Sequence, residues 1–519
     1  MLALLPGARL WAEIAGIPEV HETAVLGNAP MGTNGAEILV GEPDGEYNGV
    51  ASGVVHVLSR SNGSSWIEVG EIGPAEPVAG MSFGDDIAVT VSQALISASA
   101  SPSPGLTFLL FNRTSTGTWI ESAEFVGDEN HVLLGQPEPE VADNTVVLGS
   151  RSLLPYGRVG ISVFERDGDV WSFQQRLVSP EDDDGFGVSV ALSSDTLVVG
   201  ASTAVVAGVD SGAAYVYVKP ATGIWEFAQK LVATPTGMEE AYYGLDVAVA
   251  EDFIVVGSPC DWALGPEESC AGAAYIYRRT SDDKWVEEAK LLPPFDGPDP
   301  PYGAQFGNAV AIENGLVYIC ENQGRWATGE SGSCWAFRNS GEGDWQPLAR
   351  LIPEDPFANL EFGEWIDLEG GTFLSLAYAA EGDSEARIYV FDTAALSLEV
   401  EVALDFKPGN RRNAINPRSR GRFWLAILSD AEFDALQVDP EFVALGPGQA
   451  PVDRYRVKDV NGDRLPDLLL RFRTPEVGLQ CGDTEVELTG GTYAGDSVIG
   501  TDKVKTVGCK KKPKKGKKK

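Results

Sequence analysis

Hydrophobic residues along this chain fall in short runs that alternate with turn residues. Between residues 186 and 232, four such runs follow one another, at 186–192, 197–202, 212–218 and 224–231. Val, Ala, Leu and Tyr dominate the runs, while Gly, Ser, Asp and Thr separate them. Runs of this length and composition predict four consecutive β-strands.

The same four-strand pattern recurs on both sides of this stretch. Its most regular marker is the Trp that opens the fourth strand, and neighbouring copies are 52 to 60 residues apart: Trp66, Trp119, Trp171, Trp225, Trp285 and Trp345. The first strand recurs as an aromatic residue followed by Gly: Phe83-Gly84, Phe186-Gly187, Tyr243-Gly244, Phe306-Gly307 and Phe362-Gly363. Four strands at a period of about 50 residues are typical of a propeller blade.

Seven units fit this pattern, so the sequence predicts an all-β fold with a seven-bladed β-propeller. The units cover residues 18–73, 79–128, 131–178, 184–233, 242–293, 305–353 and 361–395. The last unit lacks a Trp strand of its own. We expect the segment 10–17 to pair with the third strand of that unit, which closes the ring and covers an exposed edge. The alternative fourth strand is the segment 398–404.

The repeat ends near residue 404, and the remaining chain has a different character. Alternating runs such as 423–428 and 468–472 predict a second, β-rich domain at 405–509, similar to a small β-sandwich. Arginines cluster at its start, at positions 411, 412, 418, 420 and 422. The Lys-rich tail 510–519 is expected to be disordered. The predicted domains are therefore 1–404 and 405–509, followed by this tail.

Charge and cysteine content restrict the class of protein. The chain has 39 basic and 76 acidic residues, a net charge of −37, which predicts repulsion from nucleic acid and from anionic lipid. No apolar run approaches the roughly 20 residues of a membrane span, and the apolar start 1–6 is too short for a signal peptide. The six cysteines form three close pairs: Cys260 with Cys270, Cys320 with Cys334, and Cys481 with Cys509. An even number at such spacings favours disulfides and an extracellular, cell-surface or periplasmic location over free thiols.

The repeated motif Phe-Gly-x-Ser-Val-Ala-Leu, Leu-Val-Val-Gly-Ala and Gly-Ala-Ala-Tyr-Val-Tyr resembles the FG-GAP repeat family. This family builds the seven-bladed propellers of integrin α-subunits and of many secreted bacterial proteins. The segment 405–509 resembles a domain found at the C-terminus of secreted bacterial repeat proteins, through the motifs at 405–409, 415–421, 457–463 and 481–485. The resemblance implies a scaffold whose loops recognise a ligand.

One departure from the family concerns calcium. Calcium-binding blades of the family carry Asp-x-Asp-x-Asp-Gly between the first and second strands. Here the corresponding turns are only 193–196, 250–253 and 313–315, and they are short and poor in carboxylates. We therefore expect no cofactor in the propeller blades.

A candidate calcium site lies instead in the second domain. Counted from Asp459, oxygen-bearing side chains occupy positions 1, 3, 5 and 9 of one loop, and a backbone carbonyl is available at position 7: Asp459, Asn461, Asp463, Asp467 and Leu465. Calcium prefers six to eight hard oxygen ligands, which such a loop can direct to one centre. Arg464 replaces the usual glycine and Leu470 the usual bidentate acid, so the alternative is an Asx-rich turn between strands.

Two cysteine pairs enclose loops between the second and third strands of neighbouring blades. In the family such loops emerge on the ligand-binding face, so Trp262, Trp326 and Arg325 are candidate ligand contacts. The alternative is that the disulfides stabilise the loops and do nothing further.

Residue patterns of known enzymes are missing from the sequence. It has only three His, at 21, 56 and 131, without a His-x-x-x-His spacing, a nucleophile elbow or a phosphate-binding loop. We expect a secreted or cell-surface, monomeric binding module that recognises a protein or a polysaccharide through propeller loops. The alternatives are an extracellular enzyme that acts on polysaccharide with clustered carboxylates, and a purely structural surface protein.

Overall fold

The computed structural model describes two compact units, Met1–Ala394 and Ala395–Lys519. Described are the backbone of 12–19 and residues 30–508, with gaps at 62–64, 100–104, 129, 136–137, 143, 153–158, 169, 182–184, 221–222, 236–237, 251, 263–269, 295–302, 323–324, 327–328, 331, 340–342, 354–361, 379–385, 397–398, 411, 430–432 and 493–496. The described part is almost entirely β-structure, which confirms the predicted fold class. None of its helices is long and apolar enough to cross a membrane.

The strands of the first unit fall into successive groups that we call blades 1 to 7. After β1 (Ala12–Glu19) come blade 1 with β2 (Met31–Thr33), β3 (Glu37–Glu42), β4 (Val54–Ser61) and β5 (Ser65–Ile72); blade 2 with β6 (Ile87–Val89), β7 (Gln93–Ser99), β8 (Leu106–Arg113) and β9 (Trp119–Phe125); and blade 3 with β10 (His131–Leu134), β11 (Glu140–Ala142), β12 (Thr145–Ser152), β13 (Val159–Asp167) and β14 (Val170–Leu177).

The later blades follow the same order of strands. Blade 4 has β15 (Phe186–Leu192), β16 (Thr196–Ala201), β17 (Val205–Val206), β18 (Val209–Asp210), β19 (Ala213–Val218) and β20 (Glu226–Leu231); blade 5 has β21 (Val247–Ala250), β22 (Phe253–Ser258), β23 (Ala273–Arg279) and β24 (Trp285–Leu291); blade 6 has β25 (Ala309–Glu313), β26 (Leu316–Glu321), β27 (Arg325–Trp326), β28 (Gly329–Glu330), β29 (Ser333–Asn339) and β30 (Trp345–Pro353); blade 7 has β31 (Trp365–Glu369), β32 (Thr372–Tyr378) and β33 (Ala386–Asp392), followed by the 3₁₀ turn η1 (Thr393–Leu396).

The innermost strands form a closed circuit around a central channel. Within the described residues, contacts run from β2 to β6, β11, β15, β21, β25 and β31, and from β31 back to β2. Successive strands of a blade pair antiparallel from this centre outward, as in the order β15-β16-β19-β20. The arrangement is a β-propeller, and its strand groups are consistent with seven blades.

Strand β1 bridges the last two blades. Its residues Ala12 to Gly16 pair in parallel with β30, and Ile17 to Glu19 pair antiparallel with β33. The sequence predicts that the segment 10–17 pairs with the third strand of blade 7, but of its described residues only Ile17 does so, and residues 12–16 pair with β30 of blade 6. Leu10 and Trp11 lie outside the described residues. The segment 398–404, the alternative fourth strand, instead pairs within the second unit.

Glycines let neighbouring blades approach each other closely, and the joint between blades 4 and 5 shows how. A Cβ atom on Gly200 would overlap the carbonyl oxygen of Gly244, and one on Gly212 would overlap the backbone of Tyr243. Across the same joint, the backbone N–H of Tyr243 donates to the carbonyl of Ser211 at 3.1 Å. Gly212 has a φ of +87°, a conformation that glycine adopts at low cost. The aromatic-Gly motif of one blade therefore fits against the Gly-Ala motif of the blade before it.

The outer rim carries a second contact between blades. In blade 2, Arg113 donates through Nε and Nη2 to the carboxylate of Glu37 in blade 1, both at 2.8 Å, and the indole of Trp119 donates to the same group at 3.1 Å. Lys219 and Trp225 bind Glu165 in the same manner. At Trp119 and Trp225, the residue that marks the repeat in the sequence thus forms a hydrogen bond to the preceding blade.

The second unit contains two main sheets that pack on one hydrophobic core. Its elements are β34 (Glu399–Glu401), β35 (Ala403–Phe406), β36 (Ala414–Ile415), β37 (Arg422–Leu428), η2 (Ala435–Gln437), β38 (Val438–Leu445), β39 (Ala450–Pro451), β40 (Arg454–Val457), β41 (Leu468–Arg473), β42 (Glu485–Thr492), β43 (Ser497–Lys503) and β44 (Lys505–Thr506). The sheet orders are β34-β43-β42-β38-β39 and β35-β37-β41-β40, with β36 and β44 as a separate pair. Residues of both sheets, such as Leu425 and Leu488, share the core, as expected of a sandwich.

Candidate functional site

The order of strands within a blade places two kinds of connection on one face of the propeller. Because successive strands are antiparallel, the loops from second to third strand and the links from one blade to the next emerge on the same side. We call this side the loop face. The opposite side carries short turns, such as the one between Leu192 and Thr196 in blade 4.

Three consecutive blades carry elaborated connections on the loop face. Blade 4 inserts the small hairpin β17–β18, in which Val205 pairs with Asp210. Blade 5 closes its loop with the disulfide Cys260–Cys270. Blade 6 combines the disulfide Cys320–Cys334 with the hairpin β27–β28. Blades 4, 5 and 6 thus carry, side by side, connections that contain a hairpin, a disulfide or both.

The two propeller disulfides lie at different depths. Cys320 and Cys334 are register partners on adjacent strands and are fully buried, and they contact Gly363 of blade 7. This bond therefore also belongs to the joint between blades 6 and 7. Cys260 is 8% exposed and starts the blade 5 loop. In the second unit, Cys481 is disulfide-bonded, while Cys509 lies outside the described residues.

A buried ion pair holds the start of the blade 5 loop, and sequence reasoning did not find it. Asp261 is 0% exposed, and its two carboxylate oxygens accept from Lys290 Nζ at 2.8 and 2.9 Å. The hydroxyl of Tyr275 donates to the same carboxylate at 2.6 Å, and the Lys290 ammonium lies 5.0 Å from the centre of that ring. The Asp beside a loop cysteine and the Lys on the fourth strand are the only sequence signals, and they are 29 residues apart.

The predicted ligand contacts are only partly placed by the structure. Trp262 is half-buried and packs against the core between blades 4 and 5. Arg325 and Trp326 form strand β27 of the blade 6 hairpin. Their side chains lie outside the described residues, as does most of the loop after Trp262. Whether these residues bind a ligand remains a prediction.

Carboxylic acids converge on the central channel from several blades. A cavity of about 280 Å³ there is lined by residues of blades 1, 2, 3 and 7, among them Asp86, Glu138, Glu140 and Asp367. The Glu138 side chain is exposed to the solvent of the channel, but the surrounding protein limits how well its carboxylate is hydrated. Desolvation, followed by repulsion from Asp246, Asp367 and Asp86, raises its pKa to about 8. Desolvation and the neighbouring Glu138 also raise the pKa of Glu140.

Three aspartates around the channel share this behaviour. Desolvation raises the pKa of Asp86, Asp246 and Asp367 to about 7 each. Two of them also connect neighbouring blades. Asp246 accepts from the backbone N–H of Val310 at 2.8 Å, and Asp367 accepts from that of Thr33 at 2.6 Å. These acids therefore have a structural task in addition to lining the channel.

The channel acids predict that the propeller loses stability as the pH rises. Their pKa values in the folded protein, about 7 to 8, exceed the values near 4 of unfolded chains, so the folded state binds more protons between these limits. We expect the melting temperature to fall by several degrees from pH 5.5 to pH 8.5. Asp367→Asn should flatten this dependence, which thermal unfolding across the pH range measures. A melting temperature that rises over this range would contradict the assignment.

In the second unit, the loop 459–467 directs its acids to backbone groups. The carboxylate of Asp459 accepts from the N–H of Gly462 and Arg464 at 2.7 and 3.1 Å, and Asp463 accepts from Leu465 at 2.8 Å. Asp467 is 0% exposed, and its oxygens accept from Ser429 and Val460. Asn461 donates to Asp463. Arg464 has a φ of +79°, the conformation that the missing glycine would favour.

Charge is divided unequally between the two units. The first unit has 17 basic and 58 acidic residues, a net charge of −41, and the second has 22 and 18, a net charge of +4. One face of the second unit's four-stranded sheet is rich in arginine, because register partners on β37, β40 and β41 point to the same side: Arg422, Arg454, Arg456, Arg471 and Arg473. Asp453 binds three of them, and Arg456 lies 4.4 Å from the ring centre of Trp424. The acidic excess of the chain therefore lies in the first unit.

Comparisons with known proteins point to one family. The model of the FG-GAP repeat matches residues 171–217 and 225–277, which include the motifs at the joint between blades 4 and 5. No curated protein matches the chain. Among solved structures, the β-propeller domain of the Trilobed protease from Pyrococcus furiosus, described as having an open velcro topology, is 12% identical with a TM-score of 0.38, over 70% of this chain and 95% of that one. Residues 171–217 and 225–277 thus match the FG-GAP repeat, and the strands of the first unit are arranged as a β-propeller.

Proposed function

We propose that the protein is a secreted or cell-surface binding module that recognises a protein or a polysaccharide through the loop face of its propeller. The observation that carries the proposal is the elaboration of three neighbouring connections on one face, two of them closed by disulfides. Disulfides reduce the freedom of a loop before it binds, which lowers the entropy cost of recognition. The two propeller disulfides and the FG-GAP repeats support an extracellular location.

A binding screen of the full chain against glycans and extracellular proteins tests the proposal. Once a ligand is found, Trp262→Ala and Val205→Ser should each weaken binding about tenfold or more, because interface residues that matter typically contribute over 1 kcal/mol. Val205 is 51% exposed on the loop face. The matched control is Val91→Ser, since Val91 is 63% exposed in a turn on the opposite face. Equal effects of Val91→Ser and Val205→Ser would rule out the loop face as the binding surface.

A second candidate function is an enzyme that acts on extracellular polysaccharide through the channel acids. It is supported by acids whose pKa values lie near 7 to 8 beside a cavity, because a general acid must hold its proton at the working pH. Turnover of a polysaccharide by the full chain, abolished by Glu138→Gln, would favour this function over binding alone. Lack of turnover on a broad panel would remove it.

For the second unit, calcium binding by the loop 459–467 remains our proposal for a structural ion. The loop offers oxygen donors in Asn461 and Asp463, which are exposed, and in Asp459, which is half-buried, and the described contacts bind all three only within the loop. A calcium titration of the full chain should show heat and a higher melting temperature, both lost in Asp459→Asn with Asp463→Asn. If neither signal appears, the loop is an Asx-rich turn.

A further inference from the structure

Blade 1 brings one histidine and three glutamates together from three neighbouring strands. His56 lies on β4 and is the register partner of Glu71 on β5. Glu68 lies three residues before Glu71 on the same strand, on the other side of a β-bulge. Glu42 is the last residue of β3, on the other side of β4. No motif in the sequence signals this group, because its members are joined by sheet register and are up to 29 residues apart.

The distances within this group are those of a compact donor set. One ligand atom each from His56, Glu68 and Glu71 lies within 4.8 Å of the other two. His56 Nδ1 is 3.1 Å from Glu68 Oε1, so this ring nitrogen faces the pair of glutamates on β5. The His56 side chain is only 12% exposed, while the Glu68 side chain is 36% exposed and open to an incoming ion.

The other side of the ring has the partner that a metal-bound histidine normally needs. His56 Nε2 is 3.0 Å from Glu42 Oε2. In metal sites, the ring nitrogen that does not bind the ion usually donates its proton to a carboxylate, which fixes the ring and makes the other nitrogen a better ligand. Glu42 is placed to do this for His56, with Nδ1 left for the ion.

We propose that His56, Glu68 and Glu71 bind a divalent transition-metal ion such as Zn²⁺, with Glu42 orienting the histidine. One imidazole nitrogen and two carboxylate oxygens are typical zinc ligands, and three protein ligands leave a position for water or for a group from a partner. Calcium is not expected here, because it takes oxygen ligands and does not use imidazole. The site lies at the loop-face end of blade 1, outside the connections of blades 4 to 6, and it does not depend on the proposed binding function.

Zinc titration of the EDTA-treated full chain by calorimetry tests the site. We expect one zinc per chain and no heat at this site from calcium. His56→Gln should abolish binding, as should Glu68→Gln with Glu71→Gln. Glu42→Gln should weaken it about 10- to 100-fold, the usual effect of losing a partner that orients a ligand.

His131→Gln is the matched control, because His131 also contacts a carboxylate, at 2.9 Å from Asp128, but lacks a third ligand group within the described residues. It should leave the zinc stoichiometry and affinity unchanged. The variants must keep the far-ultraviolet spectrum and melting temperature of the metal-free parent protein to be compared. Absence of zinc binding, or zinc binding that survives in the folded His56→Gln protein, overturns the proposal.

Discussion

Gly200→Ala is expected to destabilise the propeller by about 3 kcal/mol or more, the upper range for forcing an atom into a packed site. The added methyl group would overlap the carbonyl oxygen of Gly244. That oxygen belongs to the backbone of the next blade, so it cannot move aside as a side chain would. The two blades must separate, and the hydrogen bonds across the joint lengthen. Urea unfolding of the full chain followed by tryptophan fluorescence measures the loss.

Gly70→Ala provides the matched control for this change. Gly70 also lies within a strand, β5, but an added Cβ would meet nothing within 4 Å. The substitution should be neutral or stabilising by up to about 1 kcal/mol, since alanine reduces the freedom of the unfolded chain. Similar stabilities for the two variants would show that the joint does not depend on close backbone approach.

Lys290→Met is expected to cost about 3–5 kcal/mol, the range for removing one partner of a buried ion pair. The carboxylate of Asp261 is 0% exposed and would lose the ammonium group that binds both of its oxygens. Methionine has a similar length and keeps the packing against Tyr275, so the effect reports on charge more than on volume. Because Asp261 starts the blade 5 loop, the loop should also become more accessible to protease.

A double substitution separates the two causes. Asp261→Asn with Lys290→Met removes both charges, and it should recover most of the lost stability if the missing counter-charge of the buried carboxylate is responsible. Lys284→Met serves as the surface control, because Lys284 and Asp282 are 70% and 63% exposed and their loss should change stability little. The interpretation fails if the double variant is as unstable as Lys290→Met.

The repeat could be predicted from sequence because its strongest signals are local. Motifs such as Tyr243-Gly244 and Gly212-Ala213 recur at nearly constant spacing, and each requires only a strand and a turn. The contacts that these motifs make between blades could not be predicted in the same way. Gly212 and Tyr243 meet only after two blades have folded, and no rule of local sequence says which backbone a glycine will face.

The candidate sites differ in the same way, by whether their residues are close together in the sequence. The loop 459–467 and the cysteine pairs are contiguous or nearly so, and sequence reasoning found them. The group of His56 and its glutamates depends on the register of three strands, and the channel acids come from separate blades. Asp246 looks like an ordinary acid in the sequence, and only the ring places it beside Val310 of the next blade.

The joints between blades restrict how such a chain can gain or lose repeats in evolution. Gly41 meets Gly84, Gly200 meets Gly244, and Gly257 meets Gly307, so the same pair of surfaces is used again and again. Blade 5 carries both surfaces of the pair, with Gly244 facing blade 4 and Gly257 facing blade 6. Duplication or loss of a whole blade leaves complementary flanks facing each other, whereas loss of a single strand does not. The glycines thus make the blade, rather than the strand or the ring, the unit that evolution can copy.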